Sequence, residues 1–225
     1  MTSNLSQFVP FLESLPPGTI GEVKSEELDA VVAIHLRAFP ATFITPLGPA
    51  MVRLYYDAAL KFPNGRCIVY RNETGAVVGF VTSVPSVAEF YRWLMRRYCF
   101  RAAGACIRSS PKALLAMARR LFTRLLGERR RDPVVCADAE CTAFAVDPLI
   151  CDASIAPLLT AAFLLDAKRR GLTRIRSGVR VDNPRLLRMA HMFGYRDLHR
   201  EARPDGHEIQ ILLWSEDPEL GDVTS

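Results

Sequence analysis

The second half of the chain alternates strand patterns with helix patterns, and this alternation restricts the possible folds more than any other feature. Residues 134–146 are strand-like, and residues 156–170 have the pattern of a helix that Gly171 ends. A second strand pattern over 174–181 precedes a short helix over 184–193. Successive strand and helix segments of this kind indicate an α/β fold.

The first half of the chain supplies further strands and helices around a hairpin. Residues 19–23 are a strand candidate, and helical spacing of apolar residues follows over 25–36 and 49–60. Two strand patterns, 66–71 and 76–82, flank Asn-Glu-Thr-Gly, which is typical of a hairpin loop. The remaining strand patterns, which predict an antiparallel pair near the C-terminus, are 196–201 and 208–214.

Composition favours a globular protein of the cytosol. The 225 residues are 49% hydrophobic, with a mean hydropathy of +0.09, which suits one core. No apolar run reaches the roughly 20 residues of a spanning helix, and the N-terminus lacks a signal pattern, so we expect a cytoplasmic protein. The six cysteines form no CxxC pair, which favours buried thiols in a reducing compartment and no structural zinc.

Positive charge is concentrated in one segment, residues 88–131. It holds twelve Lys and Arg against two Glu, a net charge of +10, whereas the whole chain carries +5. The segment reads as two amphipathic helices separated near Pro111. Three interpretations remain open: a lid that attracts an anionic substrate, contact with an anionic membrane surface, or ordinary helices with solvated arginines. Aromatic residues lie among the arginines, but no nucleic-acid motif accompanies them, so we expect no nucleic-acid partner.

A family resemblance is carried by the order of short motifs. The sequence AECTAFAVDP over 139–148 precedes a turn and a helix that opens with Leu-Leu. Asp182-Asn183 and Gly194-Tyr195 then close the next helix and strand, and Gly79-Phe80 follows the hairpin. This order resembles the GCN5-related N-acetyltransferase (GNAT) superfamily over roughly residues 19–214.

The resemblance implies an α/β fold with a central mixed, mostly antiparallel sheet and helices on both faces. It implies a sheet splayed between two strands, where acetyl-CoA inserts its pantetheine arm, and it implies no metal. On this reading, residues 1–18 are an N-terminal extension and 19–214 a single acyltransferase domain. Residues 88–131 are then a basic helical insertion, and 215–225 are a C-terminal tail.

The resemblance also assigns the cofactor site. Phe144, Ala145 and Val146 would offer backbone groups to the pantetheine amides, which need partners once buried. The family's pyrophosphate loop, Q/R-x-x-G-x-G/A, falls on a segment in which only the last residue fits. That segment consists of Cys151, Asp152, Ala153, Ser154, Ile155 and Ala156.

The loop sequence raises the question of how it would hold a diphosphate. Ser154 is a good helix cap, and Pro157 is tolerated only in an opening turn, so we expect free N–H groups over 153–156. Asp152 would repel the diphosphate by about 3 kcal/mol at about 5 Å and an effective dielectric of about 20. For Cys151, a packed small residue is favoured over a reactive thiol.

The catalytic residues are less clear from sequence. Glu140 is the candidate base, because many family members place a glutamate there. An exposed or arginine-paired glutamate is the equal alternative. The family's tyrosine acid falls on Ala190, with His191 adjacent and Tyr195 nearby in sequence.

Two further residues have both a functional and a structural interpretation. Asn183 either bonds the cofactor or caps the helix that Pro184 opens. His35 either lines an acceptor pocket or is a buried structural histidine, and the second is favoured.

The sequence thus favours an acyl-CoA-dependent N-acyltransferase that moves an acetyl group from acetyl-CoA to a primary amine. A small anionic acceptor, such as a nucleotide-linked amino sugar, would fit the basic insertion. Two alternatives remain open. One is a catalytically silent module of the same fold that binds a ligand or partner, and the other is a peripheral membrane protein.

Overall fold

The structure is a computed structural model, and it describes residues 4–42, 44–109, 137–203 and 206–216. The strands in these ranges are β1 (Ile20–Glu22), β2 (Arg66–Arg71), β3 (Val77–Val84), β4 (Ala139–Val146), β5 (Arg174–Arg180), β6 (Tyr195–Ala202) and β7 (Glu208–Ser215). They form one sheet in the order β1-β2-β3-β4-β5-β7-β6. All neighbours are antiparallel except β4 and β5, which are parallel, so the expected mixed, mostly antiparallel sheet is confirmed.

Helices cover both faces of the sheet, and each face has its own hydrophobic core. One face packs against α2, α3 and α4, and the other against α5 and α6. Tyr56 and Phe80 are fully buried on the first face, and Leu164 and Trp214 are buried on the second. The helices are α1 (Val9–Ser14), α2 (Leu28–Ala38), α3 (Pro49–Lys61), α4 (Val87–Ser109), α5 (Ile155–Arg169) and α6 (Pro184–Met192).

Strands β4 and β5 separate soon after they begin to pair. Their pairing covers only Ala139 with Ile175, Glu140 with Arg176 and Cys141 with Ser177. A bulge in β4 comes next, since Ala143 is opposite Thr82 while Cys141 is opposite Ser83. Bulges bend a strand and increase its twist, so the extra residue, Thr142, turns the rest of β4 away from β5. The sheet therefore opens between two strands, as the family resemblance implies.

A close approach of β3 to the start of α5 accounts for Gly79. A Cβ at this position would lie 3.3 Å from the Ala145 carbonyl oxygen and 3.4 Å from Ile155 Cγ2. An added Cβ would require the Ala145 carbonyl or the Ile155 side chain to shift by a few tenths of an ångström. Gly79 thus permits close packing between the sheet and the first turn of α5, which is where the predicted cofactor loop ends.

The N-terminal residues, which the resemblance treats as an extension, pack against the second core through Leu5, Phe8 and Leu12. Leu5 is 4% exposed, and the Phe8 ring lies 4.8 Å from that of Phe193. These three residues therefore contribute to the packed body. The first helix of the basic insertion is present as α4, whereas the second predicted helix lies outside the described residues.

In the described ranges, no helix has the length and apolar character needed to cross a membrane. Those ranges also hold no cluster of three or more His, Cys, Asp or Glu side chains that suits a metal ion. Cys67, Cys141 and Cys151 are free thiols. Cys67 is buried and Cys141 partly buried, as expected, but Cys151 is exposed.

Candidate active site

The outer part of β4 has backbone hydrogen-bonding groups that no neighbouring strand uses in the part of the chain that the structure describes. Asp147 N–H bonds to the Val78 carbonyl at 2.8 Å, which fixes the direction of the hydrogen bonds along the ladder to β3. Because these directions alternate along an antiparallel strand, the N–H and C=O of Phe144 and Val146 face the other side. On that side β5 has already diverged beyond Ser177. This open edge of β4 can accept an extended ligand as an additional strand.

A cavity of about 310 Å³ passes through the opening and reaches both faces of the sheet. Its walls include Phe144 of β4 and Val179 of β5, which border the separation. Tyr55 and Tyr56 line it from the first core, and Phe163 and Tyr195 from the second. A cavity that crosses a sheet in this way can bring two ligands together from opposite faces.

On the α2 and α3 face, the cavity is bordered by a buried hydrogen-bonded group around His35. His35 Nδ1 lies 2.7 Å from the Tyr56 hydroxyl, and Nε2 lies 3.3 Å from Thr42 Oγ1. Burial lowers the pKa of His35 from 6.5 to about 4, so the ring is neutral at pH 7. His35 is therefore a buried structural histidine, as the sequence favours, and it also lines the cavity. Its role beside an acceptor remains a prediction.

At the base of the opening, Ser177, Cys141 and Tyr195 line the cavity. Burial raises the pKa of the Tyr195 hydroxyl, and burial also raises that of the Cys141 thiol, so both groups stay protonated at neutral pH. Ala190, at the position of the family's tyrosine, lines the same cavity with its small side chain. The Tyr195 hydroxyl is therefore a protonated group in the same cavity wall as Ala190.

The predicted cofactor loop is exposed, and helix α5 starts as expected after Ser154. One of its N–H groups is already used, because Ser154 N–H donates to Asp152 Oδ1 at 2.8 Å. The Ser154 hydroxyl donates to the same oxygen at 2.6 Å. Of the four N–H groups expected to be free, that of Ser154 is therefore already hydrogen-bonded. Those of Ala153, Ile155 and Ala156 have no hydrogen-bond partner within the described ranges.

An ion pair holds the start of this loop against α2. Arg37 donates to both carboxylate oxygens of Asp147, at 2.9 and 2.5 Å. The Arg37 guanidinium lowers the pKa of Asp147, and the carboxylate also accepts the Leu149 N–H at 3.1 Å. Paired and mostly buried, Asp147 fixes the direction in which the chain leaves β4.

Glu140, the sequence-based candidate base, lies on β4. Its side chain contacts the start of α4 and is outside the residues that line the cavity. Its Oε1 accepts the Val87 N–H at 2.9 Å, at the first residue of that helix. Its Oε2 lies 3.8 Å from Arg176 Nη1. The contact with Arg176 is the one expected if Glu140 pairs with an arginine, and the bond from Val87 caps a helix. Its role as a base remains a prediction.

The other predicted residues have clear positions. Asn183 lines the cavity and also caps α6, where its Oδ1 accepts the Leu186 N–H at 3.1 Å. His191 is exposed and lies 2.9 Å from Asp197, away from the cavity lining. The packed role favoured for Cys151 is wrong, because its side chain is exposed on the loop.

Sequence reasoning missed the aromatic side chains of the first face. Tyr55 has the helical spacing of a core residue, and Tyr56 follows it directly. Periodicity identifies a buried face of a helix, but it does not distinguish a filled core from the wall of a cavity. Tyr91 is one of the aromatic residues among the arginines of the basic segment, and nothing in the sequence indicates that it lines a cavity.

We expect an Asp152→Ala variant to bind CoA about tenfold more tightly than the natural chain, since it frees the Ser154 N–H and removes a negative charge. Calorimetric titration with CoA measures the change. Asp152→Asn is the matched variant, because it removes the charge but keeps a carbonyl oxygen for Ser154. Added salt should reduce the gain in both. Equal or weaker binding by both variants would show that this loop does not contact the diphosphate.

No family model and no curated protein matches the sequence. Solved structures do match it. An N-acetyltransferase from Staphylococcus aureus Mu50 is 15% identical, with a TM-score of 0.57, over 87% of this chain and 96% of that one. A protein from Salmonella typhimurium, solved with its cofactor acetyl-CoA, is 12% identical, with a TM-score of 0.56, over 89% and 94%.

A third similar structure is named as a GNAT-family acetyltransferase, from Bacillus cereus ATCC 10987. It is 12% identical, with a TM-score of 0.52, over 88% of this chain and 96% of that one. The resemblance seen in the sequence is therefore confirmed at the level of the fold. The chain has the GNAT fold, and its open β4 edge lies where that resemblance expects the pantetheine arm.

Proposed function

We propose that the chain is an acyl-CoA-dependent N-acyltransferase that transfers an acetyl group from acetyl-CoA to a primary amine. The observation that carries this proposal is the open edge of β4 beside a cavity that reaches both faces of the sheet. The acetyl-CoA bound to the structurally similar Salmonella protein supports the choice of cofactor. Acetyl-CoA would enter along β4, and the amine from the α2 and α3 face.

In the proposed reaction, the neutral amine attacks the thioester carbonyl carbon while both ligands are bound. The carbon–sulfur bond then breaks, the nitrogen loses a proton and the thiolate gains one. Phe144 and Val146 would hold the pantetheine amides and so position the thioester. Because Tyr195 and Ala190 line the same cavity, we propose the Tyr195 hydroxyl as the donor to the thiolate in place of the tyrosine missing at Ala190.

The residues of the loop fit a diphosphate only in part. The N–H groups of Ala153, Ile155 and Ala156 point from the first turn of α5, where the helix dipole favours an anion. Asp152 opposes this, because its ionised carboxylate is exposed on the same loop. We therefore expect a weaker grip on the diphosphate than on the pantetheine arm.

Titration calorimetry with acetyl-CoA and with CoA tests the proposal. We expect saturable heat, a thermal shift that grows with ligand concentration, and release of free thiol once an acceptor amine is added. Absence of heat and of any thermal shift at millimolar acetyl-CoA would exclude an enzyme of this type.

A catalytically silent module is the second candidate function, and Ala190 is the observation that favours it. Such a module would bind CoA without transferring the acetyl group. The two functions differ in turnover and not in binding. Thiol release with any amine above the rate without protein would therefore exclude the silent module.

The Glu140→Gln variant tests the sequence-based choice of base. Because Glu140 caps α4 and pairs with Arg176, we expect the variant to keep kcat within about threefold and to lose about 1 kcal/mol of stability. Thiol-release kinetics and thermal unfolding measure the two effects. A fall in kcat of a hundredfold or more, typical of a lost general base, would restore the catalytic role of Glu140.

A further inference from the structure

The part of the cavity on the α2, α3 and α4 side, here called the acceptor half, has walls that are mostly aromatic. Its side chains come from three helices and from the loop between α2 and α3. Besides His35, they are Phe39, Thr42, Ile44, Tyr55, Tyr56 and Tyr91. If the proposed function holds, this half receives the amine.

The rings of the acceptor half are held by contacts within the core. Tyr55 and Tyr56 meet edge to face, with centroids 5.3 Å apart and planes at 88°. Tyr55 also meets Phe90 at 5.3 Å, and Tyr56 meets Phe80 at the same distance. Because each ring is fixed by a second one, the aromatic wall exists before any ligand binds, and binding incurs little reordering cost.

Within the described ranges, the cavity lining contains no carboxylate and one permanently charged group, Arg180. That guanidinium is already paired, since it donates to both oxygens of Asp182 at 2.9 and 2.5 Å. His35, the other basic side chain of the lining, is neutral, because burial holds its pKa near 4. As far as the described residues show, the acceptor half therefore offers no unpaired charge to a phosphate and no carboxylate to a polycation.

Volume adds a second restriction. The whole cavity is about 310 Å³, at the small end of ligand sites, and the pantetheine arm would take the part between β4 and β5. What remains admits a small side chain or ring beside the amine. A nucleotide-linked sugar would have to keep most of its polar groups outside.

We infer that the acceptor is a small primary amine with an aromatic or similarly apolar body, bound in its neutral form. Its ring would lie against Tyr55 and Tyr91, and its nitrogen would point through the opening toward β4. An apolar cavity disfavours the ammonium, so it lowers the pKa of the bound amine. Burial thus removes part of the need for a carboxylate base, and the described lining contains none.

The decisive experiment compares amines at a fixed, saturating concentration of acetyl-CoA. The panel is phenethylamine and tyramine as aromatic amines, glucosamine 6-phosphate as an anionic amine and spermidine as a polycation. We expect kcat/KM for the aromatic amines to exceed that of the charged ones by about thirtyfold or more. Equal or faster transfer to glucosamine 6-phosphate or spermidine would overturn the inference.

The outcomes separate this inference from the proposed function. Absence of acetyl-CoA binding in the calorimeter contradicts both. Binding with transfer only to charged amines contradicts the inference and leaves the acyltransferase in place. Binding without transfer to either aromatic amine also contradicts the inference, while the cofactor site stands.

A variant of the wall provides an independent readout. Tyr91 is half-buried on α4, so Tyr91→Ala should raise KM for phenethylamine about tenfold while the Kd of acetyl-CoA changes less than twofold. Arg96→Ala on the same helix is the control, because Arg96 is exposed and lies outside the lining. If Tyr91→Ala leaves both the KM for phenethylamine and the Kd of acetyl-CoA unchanged, the amine does not bind against this wall.

Discussion

A His35→Gln variant is expected to lack a fall of about 3 kcal/mol in the free energy of unfolding that His35 causes in the natural chain between pH 6.5 and 4. His35 is 4% exposed, and burial lowers its pKa from 6.5 to about 4. In this window the unfolded chain binds a proton that the folded chain excludes. Stability from His35 is therefore complete above pH 6.5 and is lost progressively as the pH falls to about 4.

Denaturant unfolding at half-unit pH steps measures this loss. Glutamine retains a donor and an acceptor for Tyr56 and Thr42 but has no proton to gain, so the slope should disappear even if the absolute stability falls. Glu27 and Asp147 also have lowered pKa values, but they affect stability only at pH values below about their usual pKa values of 4.5 and 3.8. They therefore do not produce the slope above pH 5. A slope unchanged by the substitution would mean that His35 titrates freely.

An Ala190→Trp variant is expected to bind acetyl-CoA about a hundredfold more weakly, or not at all. Ala190 is 6% exposed and faces the cavity from α6, so an indole there would fill the space proposed for the pantetheine arm. Titration calorimetry measures the loss. Thermal unfolding checks that the variant is folded.

Met192→Trp is the matched control, because Met192 lies on the same helix and is 49% exposed. It adds the same indole outside the cavity and should leave acetyl-CoA binding within about twofold. If Ala190→Trp folds and binds acetyl-CoA as tightly as the natural chain, the cofactor does not use this cavity.

Local signals in the sequence identify most of the fold. The hairpin strand β2 (Arg66–Arg71) follows from alternation and its Gly-containing loop, and Ser154 with Pro157 defines the start of α5. These features depend on neighbours in the chain. The splay of the sheet came from the resemblance and not from periodicity.

The features that sequence did not predict depend on contacts between distant residues. Arg37 and Asp147 are 110 positions apart, so nothing local indicates that their ion pair holds the start of the predicted cofactor loop against α2. The β4 bulge at Thr142 has no composition signal, although its hydroxyl bonds the Thr82 carbonyl at 3.2 Å. Leu5 is buried although the first residues show no helical or strand period.

The site residues divide in the same way. The resemblance assigned the backbone of Phe144, Ala145 and Val146 to the cofactor. Phe144 and Val146 lie on the open edge, but the choice of Ala145 is wrong, because its backbone groups face β3. Cofactor binding by the other two remains a prediction. The contacts of Glu140 were not predicted, because they depend on where α4 begins and on which β5 residue lies opposite. The exposed carboxylate of Asp152 was seen in sequence, but its bond to the Ser154 N–H is a property of the turn.

Residue-resolved amide hydrogen exchange along β4 tests the central claim most directly. Ala143 and Ala145 direct their N–H groups toward β3 and should be protected with or without ligand. Phe144 and Val146 should exchange quickly in the free chain and become protected on addition of acetyl-CoA. Protection of these two amides that acetyl-CoA does not change would contradict the open edge as the cofactor site.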